Sequence, residues 1–228
     1  LVIDRSGSMK GASIRRAIQS SQLLTKHFLG LRKTPSAVGD IALVTFASSA
    51  NTPVALDSNR SRTQLREAIQ AIRAAGGTNI GAGLRQAASL AGAKGESAEM
   101  ILLSDGQNTD GDYQSSFDIL NRLGVVVHTV GMGDAKGAAT LRKIASATGG
   151  QFFEADNLML NQLFGGLAAK WQSASTLINH NGIIRQDEQQ LIPFTLLADM
   201  PVGGALRAFL SWPGSELTLS ILDEDSRA

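Results

Sequence analysis

Residues 1–8 read Leu1-Val2-Ile3-Asp4-Arg5-Ser6-Gly7-Ser8, a short apolar run followed at once by one carboxylate and two hydroxyls. The apolar run is typical of a buried strand, and the polar residues follow where that strand would end. Asp4, Ser6 and Ser8 are spaced two residues apart and crowd onto one tight turn. Small oxygen ligands with this spacing suit a hard divalent cation, Mg²⁺ or Ca²⁺, better than zinc or copper. The stretch therefore predicts a metal site at the carboxyl end of a strand.

The first two-thirds of the chain alternates strand patterns with helix patterns. Apolar residues recur at helical spacing from Ile14 to Leu31, and residues 41–47 form the continuous apolar run expected of a strand buried on both faces. After a turn at 48–51, residues 53–56 are predicted to be an antiparallel edge strand, because proline is tolerated at edges. Further helices are predicted around 65–72, 80–90, 117–123, 141–148 and 158–171, and further strands at 100–103, 125–130 and 151–153. This order predicts an α/β fold, a doubly wound, mostly parallel sheet with helices on both faces.

The pattern changes near residue 172. From there the chain shows strand-like runs without helices, at 177–184, 191–197, 205–212 and 217–222, separated by turn signals. We therefore expect two domains, an α/β domain over 1–172 whose first strand is truncated and a partial β-sandwich domain over 177–228. We interpret the sequence as a fragment, since it opens inside a strand and lacks an initiator methionine.

Composition excludes several classes of function. A formal net charge of +1 argues against a nucleic-acid partner, which requires clustered excess Lys and Arg. The chain has no cysteine, so disulfides, thiolate metal sites and a cysteine nucleophile are ruled out. No apolar run in the sequence approaches the roughly 20 residues that span a bilayer.

Two other loops are predicted to lie beside the Asp4 turn. In a doubly wound sheet, ligands collect beyond the carboxyl ends of the strands, where the strand order reverses. Asp105 follows the strand that we place beside the first one, and Thr78 lies in a Gly-Gly-Thr-Asn loop immediately before a helix. The predicted ligands at this edge are Asp4, Ser6, Ser8, Thr78 and Asp105.

The order D-x-S-x-S, then G-T, then S-D-G resembles the metal-ion-dependent adhesion site of von Willebrand factor type A domains. The resemblance covers roughly residues 1–171 and implies a Rossmann-like fold. It implies that Ser6 and Ser8 bind the metal directly and that Thr78 joins them when a ligand is engaged. Asp4 and Asp105 would act directly or through water.

The chemistry of this ligand set points the same way. Three neutral hydroxyls donate weakly and two carboxylates only balance the charge of a divalent ion, so the metal stays electrophilic. It should accept one further carboxylate, from a Glu or Asp of a protein partner, which is the family's mode of binding. Mg²⁺ fits the few, small ligands better than Ca²⁺, and Mn²⁺ is a further alternative. We therefore predict a non-enzymatic, metal-dependent binding module.

Two alternatives remain at this stage. A Mg²⁺ at the mouth of a parallel sheet is also compatible with a hydrolase or phosphoryl-transfer enzyme, although no general base, Lys or Arg clearly converges on the site and Arg5 is the nearby cation. Ser6 as a nucleophile lacks both a G-x-S-x-G elbow and an obvious histidine base. The other alternative is a structural domain in which the metal only ties three loops together.

The tail, with Phe209-Leu210-Ser211-Trp212 followed by 217–223, resembles the domain after the A domain in calcium-activated chloride channel regulators and their bacterial relatives. Those relatives often carry a metalloprotease domain upstream, of which this sequence contains nothing. The resemblance favours an extracellular, cell-surface or periplasmic location.

Overall fold

The protein is described from a computed structural model, which covers residues 1–30, 41–55, 62–94, 98–133 and 135–155, together with Leu167, Glu188 and Ile192. Its strands form a six-stranded sheet in the order β3-β2-β1-β4-β5-β6. The strands are β1 (Val2–Asp4), β2 (Leu43–Phe46), β3 (Ala50–Val54), β4 (Glu99–Ser104), β5 (Val126–Gly131) and β6 (Phe152–Glu154). All neighbouring pairs are parallel except β2 and β3.

Helices cover both faces of this sheet. They are α1 (Ala12–Gly30), α2 (Arg62–Gln70), α3 (Ile80–Lys94), α4 (Phe117–Arg122) and α5 (Ala135–Ala147), with short 3₁₀ turns at Gly7–Met9 and Gln114–Ser116. Successive strand residues point to opposite faces, so Ile3 and Leu103 pack in the core under α1 and α2, whereas Val2 and Leu102 pack under α3, α4 and α5. Burial on both faces explains why β1, β2 and β4 are almost continuously apolar.

The reversal of strand order lies where it was predicted. β1 pairs with β2 on one side and with β4 on the other. The chain reaches β2 from β1 through α1, and it reaches β4 from β3 through α2 and α3. The loops that follow β1 and β4 therefore emerge side by side at the same edge. The predicted α/β fold with a mostly parallel sheet is confirmed for the described residues.

Some predicted elements are wrong in their bounds. α5 begins at Ala135, before the predicted start at 141, and β2 covers Leu43–Phe46 within the predicted 41–47. Residues 48–51 were expected to form a turn, but the antiparallel edge strand already begins at Ala50. The turn is shorter because Ala47 N donates to Ser49 O over 2.9 Å, which leaves Asn51 free to pair with Thr45. Pro53 lies within the strand, at the sheet edge where a missing N–H is tolerated.

Several predictions lie outside the described residues. These are the β-sandwich domain over 177–228, the boundary near 172 and most of the helix over 158–171. Within that helix Leu167 is described, and it is helical and 5% exposed, in the core beneath α1 and α2. Among the described helices none is both long and apolar enough to cross a membrane.

Candidate metal centre

The turn after β1 brings the first three predicted ligands together. Asp4 ends the strand with its side chain fully buried, and its Oδ1 accepts a hydrogen bond from Ser6 N over 2.8 Å. This bond folds the chain back, so that Ser6 Oγ and Ser8 Oγ lie 3.0 Å apart. Ser6 is buried and Ser8 is exposed. The turn after β1 therefore opens to solvent on its Ser8 side.

The second carboxylate oxygen of Asp4 is held from the neighbouring strand. Ser104, the last residue of β4, donates from its Oγ to Asp4 Oδ2 over 2.6 Å. Ser104 Oγ in turn accepts from Gly106 N over 2.9 Å, and the Ser104 side chain is fully buried. One hydroxyl thus joins the Asp4 carboxylate to the loop that carries Asp105.

Asp105 lies directly after β4 and is 3% exposed. Its Oδ1 accepts from Gln107 N over 3.1 Å, which fixes the carboxylate at the start of the loop. Its backbone packs against Gly137 in the first turn of α5, so closely that a Cβ on Gly137 would lie 1.6 Å from Asp105 O. The position of Asp105 therefore depends on a glycine in a distant helix.

Thr78 is 2% exposed and lies in the loop between α2 and α3. Two backbone hydrogen bonds attach this loop to the turn after β1, from Gly7 N to Gly76 O over 2.8 Å and from Ala75 N to Arg5 O over 2.7 Å. Gly76 has a φ of +88°, a left-handed conformation that glycine adopts without strain. Loop and turn are therefore joined through main-chain atoms.

The electrostatics of this edge suit a cation. Burial raises the pKa of Asp4 above its usual value, hydrogen bonds from Ser104 and Ser6 oppose that rise, and the charge of Asp105 adds to it. Two buried carboxylates therefore lie on neighbouring loops at this edge. A divalent ion between them would offset both the burial of Asp4 and the charge of Asp105.

The donor set is compatible with Mg²⁺. Ser6 Oγ and Ser8 Oγ are hydrogen-bonded over 3.0 Å, and neighbouring oxygens of an octahedron with metal–oxygen bonds of about 2.1 Å lie about 3.0 Å apart as well. Within the described ranges no group of three or more His, Cys, Asp or Glu side chains is placed to hold a metal. The hydroxyls of Ser6 and Ser8 next to Asp4 are oxygen ligands of the kind that hard cations accept.

The structure thus brings Asp4, Ser6 and Ser8 into direct contact and joins the Thr78 and Asp105 loops to them. Sequence reasoning missed Ser104 as a ligand-orienting residue, although its hydroxyl at the end of an apolar strand was a usable signal. It also missed Thr109, whose side chain accepts from Thr78 N over 2.9 Å.

His128 is a buried sheet residue that lies apart from the predicted ligands. It lies in β5 with 8% exposure, its Nδ1 accepts from Gln151 N over 3.3 Å, and its Nε2 lies 3.3 Å from Glu99 Oε2. It takes no part in the edge formed by Asp4 and Asp105.

The structure thus combines a doubly wound sheet with a turn rich in hydroxyl groups at the point where the strand order reverses, and this combination defines the class of domain. The sequence matches the von Willebrand factor type A domain over residues 1–165, and the chain belongs to that family. It is 29% identical, over 98% of its length, to calcium-activated chloride channel regulator 1 of Mus musculus, which confirms the relationship inferred from the tail. The chain spans 25% of the length of that relative.

Solved structures agree with this assignment. Proximal thread matrix protein 1 from the mussel byssus, in a form with a zinc-occupied MIDAS motif, is 25% identical with a TM-score of 0.57, over 73% of this chain and 43% of that one. An aerotolerance-related membrane protein from Bacteroides fragilis has a TM-score of 0.60 at 18% identity, over 75% of this chain and 96% of that one, and supports the fold alone.

Proposed function

We propose that residues 1–172 form a binding module that presents a divalent cation to an acidic residue of a protein partner. Mg²⁺ is the first candidate for this cation. The observation that carries this proposal is the 3.0 Å contact between Ser6 Oγ and Ser8 Oγ, directly beside the buried Asp4 carboxylate. Two neighbouring hydroxyls beside buried carboxylates are the small oxygen ligands that a hard cation prefers.

Each ligand has a separate role in this proposal. Ser6 and Ser8 bind the metal directly through their hydroxyls, and Thr78 joins them when a partner is engaged. Asp4 and Asp105 bind directly or through water and supply the negative charge. When bound, the metal supplies a positively charged coordination position for a carboxylate.

The geometry favours a partner that reaches the metal from the solvent. Ser8 is exposed whereas Asp4 and Ser6 are fully buried, so the open side of the turn faces outwards. A hard cation prefers oxygen ligands, so a Glu or Asp carboxylate of a partner is the complementary ligand for its open position. The mussel protein's zinc-occupied motif makes Zn²⁺ the competitor to test against Mg²⁺, Ca²⁺ and Mn²⁺.

We also propose that residues 177–228 form a separate β-sandwich unit and that the protein acts outside the cell or at its surface. The relationship to calcium-activated chloride channel regulators supports both points. We expect no enzymatic activity from this chain.

The test is a calorimetric titration of the chain with each of the four metals, followed by selection of displayed peptides in Mg²⁺ or EDTA. Wild type should bind Mg²⁺, and Asp4→Ala should not. The matched control is Asp118→Ala, which removes an exposed carboxylate at the start of α4 and should leave metal binding unchanged.

Peptides selected in Mg²⁺ should contain a required Glu or Asp, and changing it to Gln or Asn should abolish binding. If wild type binds no divalent metal, the metal proposal fails. Peptide binding that survives EDTA would show that the metal is not the point of contact.

A further inference from the structure

The loop after Asp105 makes an unusual set of contacts with Thr78. Thr78 N donates to Thr109 Oγ1 over 2.9 Å, and Thr78 O accepts from both Thr109 N and Asp110 N, each over 2.9 Å. Both main-chain polar groups of Thr78 are therefore bonded to residues about thirty positions further along the chain. We call residues 108–110 the Thr78 clamp.

The clamp also fixes the helix that follows Thr78. Ile80, the first residue of α3, donates its N–H to Asn108 Oδ1 over 3.0 Å, and Ala82 N donates to Asn79 Oδ1 over 2.9 Å. Asn79 caps its own helix in the ordinary way, but Asn108 caps it from another loop. The end of α3 next to Thr78 is thus tied to the same segment as Thr78 itself.

The clamp is short and begins close to Asp105. Gln107 N is bonded to Asp105 Oδ1 over 3.1 Å, and Asn108 Nδ2 donates to Gly111 O over 2.9 Å, so the loop is closed by its own hydrogen bonds. A displacement of Asp105 would therefore be passed to Thr78 through a few bonded residues.

We infer that Thr109 is a positioning residue that holds Thr78 in register with Asp105, so that these two ligands behave as one rigid unit. The inference rests on the proposed metal function and extends it to a residue outside the ligand motif. The unit meets the Asp4 turn through three other links, which are the Ser104 hydroxyl and the Gly7–Gly76 and Ala75–Arg5 hydrogen bonds. Hydrogen-bond partners behind metal ligands commonly change metal affinity by 10–100-fold.

The discriminating variant is Thr109→Val, which keeps the shape of the side chain but removes the acceptor for Thr78 N. Thr109 is exposed, so the change leaves no cavity and the protein should stay folded. Thr109→Ser keeps the hydroxyl and should restore wild-type behaviour. The matched control is Thr52→Val in β3, which removes a hydroxyl bonded to Gln86 Nε2 over 3.0 Å, away from the clamp.

Two measurements are made on the whole chain, calorimetric Mg²⁺ titration and amide hydrogen exchange in EDTA. Thr109→Val should weaken Mg²⁺ binding by about tenfold and speed exchange of the Thr78 amide by about fivefold. Thr109→Ser and Thr52→Val should match wild type in both. The comparison is valid when wild type binds Mg²⁺ and Asp4→Ala does not. In that case, a Mg²⁺ affinity of Thr109→Val within twofold of wild type overturns the inference.

Failure of the proposed function has a different signature, because wild type itself then binds no Mg²⁺. Hydrogen exchange then tests, independently of metal binding, whether Thr109 holds Thr78 in place. Faster exchange at Thr78 in Thr109→Val, restored in Thr109→Ser, supports the clamp, and equal rates in all three proteins overturn it.

Discussion

Ser104 Oγ lies 2.6 Å from Oδ2 of Asp4, although 100 positions separate the two residues in the sequence. The bond crosses from β4 to β1 at the reversal of strand order, and the same hydroxyl accepts from Gly106 N. A single buried hydroxyl therefore orients one carboxylate and begins the loop that carries the other. The Asp4 turn and the Asp105 loop therefore meet at the Ser104 side chain.

Replacing Ser104 with Ala should damage both stability and metal binding. The buried Asp4 carboxylate loses a donor and Gly106 N loses its acceptor. The free energy of unfolding, measured in EDTA, should therefore fall by about 2–3 kcal/mol. Mg²⁺ affinity should fall about tenfold, because Asp4 is no longer oriented. Urea unfolding and calorimetric titration measure the two effects.

Ser21→Ala is the matched control for that change. Ser21 is also fully buried, but its Oγ donates to Ala17 O within α1 over 2.6 Å. It should lose less stability and keep wild-type Mg²⁺ affinity. Unchanged Mg²⁺ affinity in Ser104→Ala would show that Ser104 does not orient Asp4.

Removal of Mg²⁺ should lower the melting temperature. An ion bound to the folded state alone, at about 100 times its dissociation constant, stabilises by about 2.7 kcal/mol, which is about 5–10 °C for a chain of this size. The physical source is that a bound cation offsets the burial of the Asp4 carboxylate and, to a smaller extent, the charge of Asp105. The measurement is a thermal melt in Mg²⁺ and in EDTA at matched ionic strength. If Mg²⁺ raised the melting temperature of Asp4→Asn by as much as that of wild type, the stabilising ion would be bound at another site.

The pKa of Asp4 predicts opposite pH trends with and without metal. Burial raises this pKa above 3.8, so the folded protein binds the proton more tightly than the unfolded chain does. Without metal, the stability contributed by protonated Asp4 is present below the unfolded pKa and is lost as the pH rises through the folded pKa. Mg²⁺ requires the ionised carboxylate, so its stabilising effect should grow over the same range.

Thermal melts between about pH 4 and pH 7, in EDTA and in Mg²⁺, test this trend. The difference between the two melting temperatures should increase with pH in wild type and stay small in Asp4→Asn. A Mg²⁺ effect of constant size across the range would contradict the role given to Asp4.

The sequence was sufficient to predict the sheet and the strand reversal. Apolar runs such as those around Leu102 and Val127 are long enough for strands and are separated by helical patterns. Parallel strands share a carboxyl edge, so the residues after β1 and β4 could be placed together before any contact was known. The start of β3 was not predictable in this way, because its exposed, polar residues resemble a turn.

The links between the ligands were not predictable, for a different reason. The hydrogen bonds of Ser104 and Thr109 join residues 100 and 31 positions apart. No local spacing encodes such a pair, since the partner is fixed by sheet order and loop shape together. Thr109 was further hidden in a polar loop whose composition is that of an ordinary turn.

Gly137 provides a test of how tightly Asp105 is held. Alanine normally stabilises a helix relative to glycine by about 0.5–1 kcal/mol, but a Cβ on Gly137 would lie 1.6 Å from Asp105 O and 2.9 Å from Gly106 Cα. These are backbone atoms, so they cannot move aside as a flexible side chain would. We expect Gly137→Ala to destabilise the protein by about 1–3 kcal/mol and to weaken Mg²⁺ binding by displacing Asp105.

Gly92→Ala in α3 is the matched change at a site with room for the methyl group, since its Cβ would lie 3.5 Å from Leu123 side-chain atoms. It should raise stability by about 0.5–1 kcal/mol and leave Mg²⁺ affinity unchanged. Urea unfolding and metal titration of both variants separate helix propensity from packing against Asp105. If Gly137→Ala gained stability as Gly92→Ala does, the close approach of α5 to the Asp105 loop would not exist in solution, and α5 would have no part in holding that ligand.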